Sequence, residues 1–179
     1  MTIRMWGRLG LVAFAAVIVQ VGLLDQIVVA GAHPDLFLLL AISAGVVGGP
    51  QRGAVVAFAL GLLADVFVQT PYGLSSLCYV LVAFAMGMVV STLPGRPTLG
   101  FQLVAAVLGG VGGTLLFAGL GTLIGQTNLP RHQLAIVAVV VAAGCAVLAP
   151  LSYRIFEWTV AVVPGTHRDA GAFAGGSAR

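Results

Sequence analysis

Apolar residues fall into six runs, separated by short connections that contain polar residues, glycine or proline. Runs of this kind predict membrane-crossing helices, each of which needs about 20 apolar residues. We expect an all-α integral membrane protein with one six-helix transmembrane domain over residues 1–163 and a flexible cytoplasmic tail over residues 164–179. The predicted spans lie at about residues 9–30, 35–48, 52–68, 74–92, 99–124 and 134–155.

The composition supports this class and excludes a water-soluble domain. Of 179 residues, 60% are hydrophobic and only 7% are charged, whereas about a quarter of a soluble domain is charged. The mean hydropathy is +1.11. The net charge of +3 comes from arginines scattered singly along the chain, a pattern that does not indicate nucleic-acid binding.

The first three runs allow alternative interpretations. The first follows Arg4 and Arg8 like a signal peptide, but it exceeds the roughly 7–15 apolar residues of such segments. The second and third, residues 36–47 and 53–68, are short and could form a re-entrant pair. Two short spans are favoured, because a re-entrant pair would place Arg52 at membrane depth, at a cost of at least about 2.5 kcal/mol.

The arginines predict the orientation of the six spans. With the N-terminus inside, seven arginines lie on cytoplasmic segments and one lies outside, which satisfies the positive-inside rule. Both termini then face the cytoplasm. The inner set is Arg4, Arg8, Arg52, Arg96, Arg154, Arg168 and Arg179, and the outer one is Arg131.

Small residues recur every four positions and predict close helix packing, because helices in lipid associate through small side chains. Packing within one bundle is the simpler interpretation, and docking of a partner helix is the alternative. In the fifth span the predicted packing residues are Gly109, Gly113, Gly121 and Gly125. Similar stripes are Gly53, Ala57, Gly61 and Asp65; Ala41, Gly45 and Gly49; and Ala83, Gly87 and Ser91.

Two aspartates border the short spans. Pro34 and Asp35 suit a helix start, where proline is pre-organised and a carboxylate complements the helix dipole. Asp65 ends its apolar run, where the dipole disfavours an anion. A carboxylate at that depth is a functional candidate. We expect a structural or partner-binding role for Asp65, with ion coupling as the alternative.

The other candidate residues do not indicate a catalytic or metal-binding site. The three histidines, His33, His132 and His167, lie in polar connections without ligand spacing, and Cys78 and Cys145 lie in apolar runs. Nucleophile, phosphate-binding and zinc-protease motifs are lacking. We therefore expect no enzyme activity, metal or cofactor.

Four elements in order resemble the rod shape-determining protein MreD family: HPDLFLLL at 33–40, GPQRG at 49–53, GLLAD at 61–65 and PYGL at 71–74. The resemblance implies a fold related to the substrate-binding components of energy-coupling-factor transporters. It also implies partners: MreC, the MreB filament, the RodA glycosyltransferase and a penicillin-binding protein. The matching positions, implied as structural or partner-contact residues, are Pro34, Asp35, Arg52, Gly53, Gly61, Asp65, Pro71 and Gly73.

The resulting prediction is a non-catalytic membrane scaffold that regulates peptidoglycan synthesis and cell shape with an MreC-type bitopic partner. The alternative is the substrate-binding membrane subunit of a vitamin-type transporter. A third hypothesis is a proton-linked carrier that depends on Asp65, although no second intramembrane acid or base accompanies it.

Overall fold

A computed structural model describes residues 3–24, 34–67, 73–93, 97–123, 125 and 131–160 of the chain. The described residues are helical apart from short turns and connections. The elements are α1 (Ile3–Val19), a π-helical turn (Gln20–Leu24), α2 (Leu36–Phe67), α3 (Leu74–Ser91), α4 (Leu99–Leu123) and α5 (Arg131–Val160). The predicted tail, residues 164–179, lies outside the described residues.

Four helices in the described part of the chain are long and apolar enough to cross a membrane, which agrees with the predicted all-α membrane class. These are α2, α3, α4 and the stretch Leu134–Thr159 of α5. The first predicted span corresponds to a shorter apolar helix, Gly7–Gly22.

The second helix, α2, is sharply bent at Gly49, whose φ of 78° and ψ of 176° are not helical. In a straight helix, residues eight apart are separated by about 12 Å. A Cβ atom placed on Gly53 would instead lie 2.5 Å from the Cα of Gly45. The helix therefore folds back on itself as a hairpin with arms at residues 36–48 and 50–67.

The hairpin corrects the predicted number of helices. Predicted spans 35–48 and 52–68 are the arms of one bent element, so the described residues contain five α-helices and not six. The physical reason lies at the junction: Gly49 adopts a positive φ that favours glycine. Pro50 opens the second arm, where the missing N–H costs nothing.

Polar contacts fix which helix ends lie together. The side chain of Gln20 accepts a hydrogen bond from the backbone N–H of Leu36 at 3.0 Å and donates one to the carbonyl oxygen of Pro34 at 3.2 Å. The end of α1 thus meets the start of α2. At the other end of α1, the guanidinium of Arg8 lies over the Trp158 ring, 4.3 Å from its centroid, so the ends of α1 and α5 meet there.

The core surrounds the first arm of α2, in which every residue from 37 to 46 is buried. Helix α3 packs extensively on α2, and α4 and α5 pack on each other and on α2. Within this core, the hydroxyls of Ser43 and Ser152 share a hydrogen bond of 2.9 Å that joins α2 to α5. The first arm of α2 is therefore the centre of the bundle, whereas the second arm exposes side chains such as Phe58 and Val66.

Candidate functional site

The side chain of Asp35 caps the helix that follows it and also binds a neighbouring helix. One carboxylate oxygen, Oδ1, accepts a hydrogen bond from the N–H of Leu38 at 3.0 Å. This is the pattern of an N-cap residue, and it satisfies a backbone donor that has no partner within the helix. The other oxygen, Oδ2, accepts a bond from the Tyr79 hydroxyl at 2.6 Å. Asp35 therefore starts α2 and ties that start to α3.

The side chain of Asp65 caps a helix other than its own. It is 3% exposed, and its Oδ2 accepts hydrogen bonds from the N–H of Gly73 at 2.8 Å and the hydroxyl of Ser76 at 3.1 Å. Its Oδ1 accepts a third bond, from the N–H of Ser75 at 3.2 Å. The residue at the cap position of α3, Gly73, has no side chain to do this. Asp65 supplies the missing cap.

This geometry explains why an aspartate stands at the unfavourable end of α2. The C-terminal end of a helix repels an anion, whereas the N-terminal end of the next helix attracts one. Asp65 lies close enough to the first turn of α3 for that attraction to prevail. The hydrogen bonds support the structural role that the sequence suggested for Asp65.

Together these residues tie both ends of the hairpin to one helix. Asp35 precedes the first arm and Asp65 lies near the end of the second. Their partners at the start of α3 lie within seven consecutive residues, from Gly73 to Tyr79. We call this group the aspartate clamp. Its members are Asp35, Asp65, Gly73, Ser75, Ser76 and Tyr79.

Glycines bring the backbones of the hairpin and α3 into direct contact. A Cβ on Gly45 would overlap the carbonyl oxygen of Ala83, and one on Gly61 would overlap the Cα of Ser76. A Cβ on Gly87 would lie 2.6 Å from the Cα of Pro50. Side chains at these positions would collide with backbone atoms, which cannot rotate away. Gly45, Gly61 and Gly87 thus serve packing within the bundle, whereas Gly49 of the same pattern forms the bend and Ser91 is exposed.

Two glycines of α4 face the first arm of α2. A Cβ on Gly109 would lie 2.7 Å from the Cδ1 of Ile42, and one on Gly113 would lie 2.8 Å from the side chain of Leu38. Gly121 is also buried. For Gly109 and Gly113, the contacts favour packing within the bundle over docking of a partner helix.

The prediction that Gly125 packs on the same stripe is wrong. α4 ends at Leu123, and Gly125 lies in a turn with a φ of 78°, where no atom of the other described residues would lie within 4 Å of a Cβ. A positive φ is the conformation that favours glycine after a helix end. Spacing alone suggested a contact where the backbone conformation is what requires glycine.

The remaining predicted residues take separate places. Pro34 packs against α5, where a Cβ on Gly144 would lie 2.8 Å from the proline Cβ. Arg52 is exposed next to the bend of α2, away from the clamp, and Gly53 is buried against Gly45. Pro71 lies outside the described residues.

A cavity of about 180 Å³ opens beside the clamp, between α2, α3, α4 and α5. Its polar lining comes from Asp35, Ser75, Tyr79 and Thr114, and the rest is largely apolar. Among the residues that the structure describes, no three His, Cys, Asp or Glu side chains are grouped to hold a metal ion. The carboxylates at the site are engaged in holding helices together.

Several residues that join helices by hydrogen bonds were not predicted from sequence. Tyr79, Ser75 and Ser76 lie in the fourth apolar run, where hydroxyl groups are not distinctive, and Gln20 lies near the end of the first. The available signal was Gly73, a helix start without a capping side chain, preceded eight residues earlier by an unexplained Asp65. Reading those two facts together could have paired the second arm with α3.

Of the comparisons with known proteins, one gives a match. Searches of curated proteins and of solved structures found no match, so the expected likeness to transporter substrate-binding components is not supported, nor is the transporter alternative. The profile of the rod shape-determining protein MreD family matches residues 2–130, which include α1 to α4 and every residue of the aspartate clamp. The match covers more than half of the chain, and the protein therefore belongs to the MreD family of rod shape-determining membrane proteins.

Proposed function

We propose that this protein is a non-catalytic membrane scaffold of the bacterial cell-elongation machinery, which regulates peptidoglycan synthesis by holding an MreC-type bitopic partner. Through that partner it would reach a RodA-type glycosyltransferase, a penicillin-binding protein and the MreB filament. The observation that carries the proposal is the family match over residues 2–130.

The use of polar groups in the described residues fits a scaffold. The carboxylates of Asp35 and Asp65 accept hydrogen bonds from backbone N–H groups and hydroxyls of the same chain. The clamp thereby holds α2 and α3 in one arrangement, as a platform for a partner requires. Burial within a network of donors also favours a structural Asp65 over a proton-coupling one, since a proton carrier must exchange its proton with water or a relay.

We further propose that the arginine-bearing end of the bundle faces the cytoplasm of an inner membrane. Arg8 meets α5 at Trp158, and Arg52 lies beside the bend of α2. Asp35 lies at the opposite end of the first arm and Asp65 near the far end of the second. This separation of charge agrees with the positive-inside rule. Fluorescent-protein or phosphatase fusions at Gln51 and Gly95 should both report cytoplasm, and an external signal at either would contradict the orientation.

The scaffold proposal is tested by depletion and co-purification in a rod-shaped bacterial host whose own gene encodes this chain. Depletion should round the cells, and the affinity-tagged protein should retain an MreC-type bitopic protein. Normal cell shape on depletion, with no such partner retained, would contradict the proposal.

The variant Asp65→Asn separates the scaffold from a proton carrier. The amide keeps one oxygen acceptor for the α3 terminus but cannot carry a titrating proton. A folded Asp65→Asn protein should therefore still retain its partner and restore rod shape. A variant that folds and retains its partner but fails to restore shape would favour coupling at Asp65.

A further inference from the structure

A groove of about 310 Å³ runs between α1 and α5, over the start of α2. Small side chains of α1 make the space, and the floor reaches buried core residues such as Ala16 and Leu40. Apart from Ser152, whose hydroxyl is bonded within the core, its described lining is apolar or aromatic. We call it the α1–α5 groove. It includes Leu11, Ala15, Val19, Leu148, Ile155 and Trp158.

The dimensions of the groove suit one hydrocarbon chain better than a helix. The lining extends along α5 from Leu148 to Trp158, eleven residues whose ends are about 15 Å apart along the helix. A partner helix about 10 Å in diameter would need roughly 1,200 Å³ to fill that length. Even counted out to its open side, the groove holds about 840 Å³ of empty space, so a full helix could lie over the groove but could not enter it.

One end of the groove is basic and aromatic. Trp158 belongs to the lining, and the Arg8 guanidinium lies over its ring at 4.3 Å and donates to its carbonyl oxygen at 3.3 Å. Arg154 is exposed one turn before Trp158, on nearly the same face of α5. Among the described residues of this end, the acid Glu157 is rotated about 100° around the helix from Trp158. Tryptophan and arginine at the end of an apolar helix mark the membrane–water interface.

We propose that the α1–α5 groove binds an anionic phospholipid, with one acyl chain between α1 and α5 and the phosphate beside Arg8 and Arg154. The guanidinium of arginine has five N–H donors in a planar fork that suits phosphate. The apolar floor and the basic end thus match the two parts of one lipid molecule. An ordinary lipid-facing surface would supply neither a recess into the core nor a charge preference.

Native mass spectrometry of the full chain in neutral detergent tests the proposal, with dioleoyl phosphatidylglycerol and dioleoyl phosphatidylcholine added in equal amounts. We expect phosphatidylglycerol to be retained at least about fivefold more strongly, because each basic residue near an anionic lipid supplies about that ratio. Equal retention of the two lipids would overturn the proposal.

Three variants locate the site. Arg8→Gln should lower the retention of phosphatidylglycerol about fivefold, whereas Arg52→Gln, an exposed arginine away from the groove, should leave it unchanged. Ala15→Phe keeps both arginines but fills the groove, and should lower the retention of both lipids. An equal loss in Arg8→Gln and Arg52→Gln would show general charge attraction and overturn the assignment.

Two further measurements test the proposal if a variant does not fold or if a protein covers the groove. If Arg8→Gln does not fold, the lipid preference of the unmodified chain and the effect of Ala15→Phe decide the question. A photo-cross-linker at residue 15 should capture lipid in membranes. Capture of a protein segment at that position, with no lipid adduct, would contradict the proposal.

Discussion

Helices α2 and α3 approach so closely that a single methyl group does not fit at Gly45, Gly61 or Gly87, whereas the boundary between α1 and α5 holds a groove of about 310 Å³. The first contact is also closed by carboxylates that bind backbone donors, and the second is lined almost wholly by apolar side chains. In lipid, where apolar burial gives helices little reason to pair, close packing and hydrogen bonds decide which contacts are tight. The chain uses both between α2 and α3 and leaves the α1–α5 side open.

The largest predicted effect is at the glycine contacts. Gly61→Leu should abolish recovery of folded protein, because the new side chain would collide with the backbone of Ser76, which cannot move without separating α2 from α3. Gly112→Leu is the matched control, since no atom of the described residues lies within 4 Å of a Cβ there. Yield and melting temperature in detergent measure both. Equal yields and melting temperatures of the two variants would contradict a tight contact between Gly61 and Ser76.

The second prediction concerns the cap on α3. Asp65→Ala should lower the free energy of unfolding in mixed micelles by about 2 kcal/mol or more, because it leaves two backbone donors and a buried hydroxyl without their acceptor. Asp65→Asn keeps one acceptor oxygen and should cost less. A loss in Asp65→Ala no larger than in Asp65→Asn would argue against capping.

The third prediction compares two buried tyrosines. Tyr79 donates to Asp35 at 2.6 Å, whereas the hydroxyl of Tyr153 is buried and has no hydrogen-bond partner within the described structure. Tyr79→Phe should cost about 1.5 kcal/mol, as for a bond to a charged group. Tyr153→Phe should be neutral or stabilising, because it removes a polar group buried without compensation. The reverse order of the two melting temperatures would contradict the clamp.

The smallest predicted effect is in the groove. Ala15→Leu places a larger side chain in open space, so its free energy of unfolding should stay within about 0.5 kcal/mol of the original. Thermal unfolding in the same detergent measures it. A loss as large as that of Asp65→Ala would show that α1 and α5 are tightly packed at this position.

Much of the fold follows from local sequence. Apolar run lengths indicated the membrane class, and Pro34 with Asp35 indicated the start of α2, because helix length and capping depend on residues close together in the chain. The bend at Gly49 and Pro50 was also predicted as the break between two runs. That the two runs form a hairpin within one helical element, so that five helices result, depends on contacts between the two arms. The spacing of residues along the sequence does not reveal those contacts.

The candidate site was only partly predictable. Asp65 was identified as unusual because its position conflicts with the dipole of its own helix. Its actual partners, at the start of α3, depend on how α2 and α3 lie in space. Likewise, four-residue spacing grouped Gly113 and Gly125 together, although the first packs on Leu38 and the second lies in a turn beyond the helix.

The aspartate clamp, and with it the comparison between the α2–α3 contact and the α1–α5 groove, depends on the hairpin of α2. A distance between two spin labels tests the hairpin most directly. The labels would replace Leu36 and Val66 in a full-length chain that carries Cys78→Ala and Cys145→Ala, reconstituted in lipid nanodiscs. Because both arms are bound to the start of α3, we expect a distance below about 30 Å, which follows from helix spacings of 8–10 Å and the reach of the labels. A distance near 45 Å, the length of a straight helix between these residues, would contradict it.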